Sequence, residues 1–203
     1  MSTHRRFQIL LLAGSMLGVT ACDTDPTDAS GAAEVQVEAE RIIDADGATV
    51  LDIDQLPAQI AADEKNRFGA SDRFTDASLS PDGNWLAVTS SGAAHGGGWL
   101  VSLDDETIYP AAFQYGGSVS TGPWDDSGRF AVFLRHTPAS GHMLVLADTE
   151  APGEDAASTG ITPLDTEAST SVEIGEWQDA ALRVLVDGDC RLVKPIDGSI
   201  ERC

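Results

Sequence analysis

Apolar and polar residues alternate in short runs along most of this 203-residue chain, and the runs are separated by Asp-Gly, Ser-Gly and Gly-Gly pairs. Alternation with a period of two, punctuated by turn residues, is the pattern of half-buried β-strands. Three runs share one layout, a turn feeding an alternating strand: residues 77–89, 124–134 and 177–186. Each is followed by a second apolar strand that ends in an acidic turn, at residues 99–105, 143–148 and 190–198. The repeat step is 45 residues from Gly83 to Gly128 and 53 from Gly128 to Ala181. Residues 40–53 repeat the last two strands of such a unit as an N-terminal hairpin. The predicted fold class is therefore all-β, with about four small units of antiparallel sheet. One short helix is expected around residues 58–66, and the acidic, Gly/Pro/Ser/Thr-rich stretch 150–169 is expected to be a long surface loop.

The first 22 residues follow another pattern. Arg5 and Arg6 precede an apolar run over residues 9–19, broken only by Gly14, Ser15 and Gly18. That run fits the roughly 7–15 residues of a signal-peptide core and falls short of the ~20 that span a bilayer. It ends in Val19-Thr20-Ala21-Cys22, which resembles the bacterial lipobox. The resemblance implies a signal peptide over residues 1–21, cleavage before Cys22 and acylation of Cys22. Phe7 directly follows the arginine pair, which favours the general secretory route over twin-arginine export. Asp23 after the cysteine resembles the signal that retains enteric lipoproteins in the inner membrane, so the expected location is its periplasmic face, with the outer membrane or cell surface as alternatives. Residues 22–38 are read as a flexible acidic tether and 39–203 as the β-repeat domain.

Composition narrows the partners. The chain carries 12 basic and 33 acidic residues, a formal charge of −21. Loss of Arg5 and Arg6 with the signal peptide takes this to −23. So acidic a surface repels nucleic acid and anionic membrane faces alike. With Cys22 carrying lipid, Cys190 and Cys203 remain, the number for one disulfide in an oxidising compartment. A hairpin turning at residues 195–198 sets Lys194 opposite Ser199 and hence Cys190 opposite Cys203.

Ser80-Pro81-Asp82-Gly83, leading into Asn84-Trp85-Leu86-Ala87-Val88, resembles the repeat of TolB-type β-propellers, where this motif precedes the second strand of a blade. Trp124, Asp126 and Gly128 carry a weaker copy, and Trp177 opens a third in which only the tryptophan and strand pattern survive. Propeller rings need at least about four blades. Three repeats and a hairpin make either a small four-unit arrangement or an open stack whose edges need a partner.

No catalytic constellation emerges. Asp44-Ala45-Asp46-Gly47 and Asp52-Ile53-Asp54 lack the glycine and glutamate positions of a calcium loop and read as turn acids, as do Asp104-Asp105 and Asp125-Asp126. His136 and His142 flank a turn and fall near each other on adjoining strands, yet two histidines make a poor zinc site without a third ligand. His95 is expected in a flexible glycine-rich loop, residues 90–98. Nucleophile elbow, P-loop, dinucleotide fingerprint and HExxH motifs are missing. Catalytic residues, metal and cofactor are accordingly expected to be none. The resemblance implies a lipid-anchored, non-enzymatic envelope protein whose repeats are an interaction platform. The alternative is a periplasmic module that takes a divalent cation or small cationic ligand on its acidic face or at the loop 90–98. An enzyme using His95 or His136 is the remaining, weakest expectation.

Overall fold

A computed structural model describes residues 34–58, 70–137, 141–161, 164 and 171–203. Fifteen strands among them form four antiparallel sheets in chain order. Sheet 1 contains β1 (Gln36–Val37), β2 (Arg41–Ile43) and β3 (Thr49–Asp52). Sheet 2 contains β4 (Arg73–Leu79), β5 (Trp85–Ser91), β6 (His95–Ser102) and β7 (Ile108–Tyr115). Sheet 3 contains β8 (Ser118–Thr121), β9 (Phe130–His136), β10 (His142–Asp148) and β11 (Gly160–Ile161). Sheet 4 contains β12 (Val172–Gln178), β13 (Ala181–Val186), β14 (Asp189–Lys194) and β15 (Ser199–Arg202). Within every sheet the strands are paired in sequence order, so each unit is a meander closed by tight turns.

The period of two decides how the sheets stack, because successive side chains leave a strand on opposite faces. From β5, Leu86 and Val88 enter a core shared with Ile42 and Leu51 of sheet 1, while Ala87 enters a second core shared with Ala131 and Phe133 of sheet 3. From β9, Val132 and Leu134 turn away from that second core into a third, which they share with Leu182 and Val184 of sheet 4. Sheets 2 and 3 are thus covered on both faces, and their central strands read as nearly continuous apolar runs. Each of the three cores among the described residues joins neighbours only, and none joins sheet 1 to sheet 4. The result is an open, propeller-like stack.

Three sequence expectations need correction. The glycine-rich segment 90–98 is not a loop: Ser90 and Ser91 end β5, residues 92–94 turn, and His95 opens the buried strand β6. Its glycines are there for close approach. A Cβ on Gly96 would lie 2.8 Å from the backbone of Ser118, and one on Gly98 would lie 2.9 Å from the Phe133 ring. Nor is 150–169 wholly a loop. A short helix α1 (Ala156–Thr159) is capped by the Asp155 carboxylate, which accepts the amides of Ala157 and Ser158. It leads into β11, which pairs with β10, and Leu164 is buried in the third core. The polar composition concealed this fourth strand because its two residues, a glycine and an exposed isoleucine, carry no alternating apolar pattern. Finally, β1 lies inside the segment 22–38 read as tether, since Gln36 and Val37 pair with Ile43 and Ile42. The helix expected at 58–66 lies almost wholly outside the described residues, as does Cys22.

Candidate functional site: the acidic cleft at the turn end

The turns that enter the second strands of sheets 2, 3 and 4 lie together at one end of the stack. In the first, Ser80 is buried, its hydroxyl donates to Asp82 and accepts the Trp85 amide at 2.9 Å. Gly83 follows at φ +75°, a conformation that favours glycine. Pro81 and Asp82 occupy the exposed corner of this turn. The Ser80 hydroxyl, helped by Asn84, holds the Asp82 carboxyl below the usual carboxylate range. In the second turn Asp125 takes the place of Ser80 and accepts the Phe130 amide at 2.6 Å. Asp125 also accepts from the Ser127 hydroxyl, while Asp126 stays exposed. Sequence reasoning singled out Asp126, but the buried structural acid is Asp125. The signal that could have found it is its place three residues before the glycine, matching Ser80 before Gly83.

The repeats are locked to one another by their tryptophans. Trp124 donates its indole N–H to the Ser78 carbonyl at 3.1 Å, and Trp177 donates to the Pro123 carbonyl at 3.0 Å. Ser78 and Pro123 occupy matching places in successive units, so the same bond recurs from sheet 3 to sheet 2 and from sheet 4 to sheet 3. Gly128 packs the second turn against the first, since a Cβ there would sit 3.0 Å from an Asp82 carboxylate oxygen.

Between the second and third of these turns lies a cleft of about 330 Å³, lined by Asp125, Asp126, Arg129, Phe130, Glu150, Trp177 and Ile196 among others. Phe130 and Trp177 form its aromatic floor, with rings stacked 24° apart and centroids separated by 6.3 Å. Ile196, at the β14–β15 turn, is 72% exposed on its rim. Arg129 makes a bidentate pair with Asp148 at 2.9 and 2.7 Å and a second ion pair with Glu150 at 2.7 Å. The Asp148 hydrogen bonds raise the Arg129 pKa further, so its charge is permanent and already neutralised. The cleft therefore presents aromatic surface inside and net negative charge at its edge.

At the C-terminus Cys190 and Cys203 form a disulfide with Cα atoms 5.4 Å apart. Lys194 pairs opposite Ser199, the register the hairpin length predicted. Histidines sit at the far end of the stack. His95 is buried against Phe113, and burial lowers its pKa while Asp72 opposes the shift. His136 lies directly opposite His142. Among the described residues no group of three or more His, Cys, Asp or Glu is placed to hold a metal ion, and no helix is long and apolar enough to cross a membrane.

No family model and no curated protein matches the chain. Among solved structures it is similar to TolB from Acinetobacter baumannii, with 16% sequence identity and a TM-score of 0.48. The match covers 84% of this chain and 40% of that one, so the chain spans well under half the length of that protein.

Proposed function

We propose that this protein is a lipid-anchored, non-enzymatic component of the bacterial envelope whose β-repeat domain docks a basic, extended segment of another envelope protein. The observation that carries the proposal is the cleft between sheets 3 and 4. The Trp177 ring, backed by the buried Phe130, an exposed Ile196 and acids at its rim suit a lysine- or arginine-bearing segment with an apolar side chain between its charges. The neutralised Arg129 leaves Asp126 as an acid still open to such a partner. The anchor rests on the motif Val19-Thr20-Ala21-Cys22, and the inner membrane on Asp23. Acylation with more than one chain would give a stable attachment.

Site-specific photo-crosslinking in intact envelopes tests the docking. A photoreactive residue at Ile196 is expected to give one defined adduct, and Asp126→Lys in the same chain is expected to abolish it. Equal adducts from Ile196 and from Leu185, far from the cleft, would refute the cleft as the docking site. Palmitate labelling and membrane association should both be lost in Cys22→Ala. Retention of both would remove the anchor from the proposal.

A further inference from the structure

At the end of the stack opposite the cleft, the β9–β10 hairpin brings two imidazoles face to face. His136 and His142 are direct cross-strand partners. Their Nδ1 atoms are 3.1 Å apart, with ring centroids 4.8 Å apart and planes at 75°. Two nitrogens at 3.1 Å, each about 2.05 Å from a common ion, subtend an angle near 100° at that ion. That value lies between the octahedral and tetrahedral angles, so the same spacing that serves one N–H···N bond also serves chelation.

The far side of His136 is built as a ligand's outer shell is built. Its Nε2 lies 2.9 Å from the Ser120 hydroxyl on β8. Ser120 can accept from an Nε2–H, and this tautomer leaves the Nδ1 lone pair directed at His142. Metal-binding histidines characteristically give their second ring N–H to such a partner, which fixes tautomer and ring orientation. Both imidazoles are only half-buried, so an ion can reach them with water in its remaining positions.

We propose that His136 and His142 form a cross-strand chelating site for a divalent transition-metal ion of the zinc, nickel and copper class, bound through both Nδ1 atoms. Each ring offers its Nδ1 lone pair to the ion, so the proton held between the two Nδ1 atoms is given up on binding and the rings are bound as imidazoles with their protons on Nε2. With two protein ligands the site is exchangeable, unlike the closed four-ligand sites that hold structural zinc.

Calorimetric titration of zinc chloride into the full chain tests this, with His136→Asn/His142→Asn as the comparison. The native protein is expected to take one more zinc ion per chain than the double variant, and only the native protein should gain melting temperature from it. The remaining histidines, His4 and His95, are common to both proteins and cancel. Ser120→Ala, which keeps both imidazoles, should weaken binding by up to about tenfold. Calcium, which carboxylates take and imidazoles do not, should fail to distinguish the proteins. Identical zinc stoichiometry and affinity in the two proteins, with both folded by circular dichroism, would overturn the proposal. So would a calcium difference as large as the zinc difference.

Discussion

Trp177 donates its indole N–H to the Pro123 carbonyl across the boundary between sheets 3 and 4, repeating one unit later the bond from Trp124 to Ser78. Side chains thereby fix the angular step between sheets that share no strand pairing. Trp177→Phe keeps a six-membered ring against Phe130 but removes the bond together with the pyrrole part of the indole, so it should cost about 1 kcal/mol in urea unfolding. Trp177→Ala also loses the stacked contact and should cost about 2 kcal/mol or more. Equal effects of the two substitutions would show that the bond and the pyrrole part carry the whole contribution.

Ser80 and Asp125 do the same task with different chemistry, each accepting the amide five residues ahead inside its turn. Ser80→Ala strands the Trp85 amide and should cost about 1–2 kcal/mol. Asp125→Ala should cost more, because the Phe130 and Ser127 amides both lose their acceptor. Chemical denaturation of the two variants gives the comparison.

The disulfide joins residues 13 apart at the end of the chain. Closing a loop of that size stabilises by about 3 kcal/mol through the unfolded state. Reduction, or Cys190→Ser/Cys203→Ser, should therefore lower stability by up to that amount while Lys194 stays opposite Ser199. The hairpin turn and the Lys194–Glu201 ion pair set that register without the sulfurs. Amide exchange over β14 and β15 would show faster fraying with an unchanged pairing.

Acid weakens the fold through its histidines. Burial lowers the folded-state pKa of His95 and His136 below the ordinary value of 6.5. The unfolded chain therefore binds protons first as pH falls through 6.5, and stability is full above that value and declines below it. His95→Gln and His136→Asn should each flatten the fall in melting temperature between neutral pH and about pH 5. An unchanged slope in both would show that other groups govern the acid limb.

Asp126 makes a contrasting case, since it is an exposed acid on the cleft rim. Asp126→Lys should leave stability within about 0.5 kcal/mol. Its effect should fall on association with a basic peptide, by weakening it most at low salt. Fluorescence of Trp177 on the cleft floor offers a direct reporter.

Alternation around residues 85–91 and 130–136 identified the second strands of sheets 2 and 3, and the hairpin length at residues 190–203 predicted the cysteine pairing. Those features are local, because a period of two and a turn length are properties of a few adjacent residues. The glycines of β6 misled for the complementary reason. Gly96 and Gly98 look like loop residues until Ser118 and Phe133 are packed against them. The same holds for β11, whose two residues become a strand only because β10 offers an edge.

Chain chemistry alone thus determined the all-β class, the repeat, the acidity, the signal-like N-terminus and the cysteine pair. Each follows from spacing and composition along the chain. Only the tertiary structure decided that the sheets stack as an open arc, that Asp125 rather than Asp126 anchors its turn, and that Phe130, Trp177 and Ile196 share one cleft. It alone also set His136 and His142 at chelating distance. These are contacts between residues remote in sequence or across strands, and their free energy depends on which surfaces exclude water together, which no local pattern records.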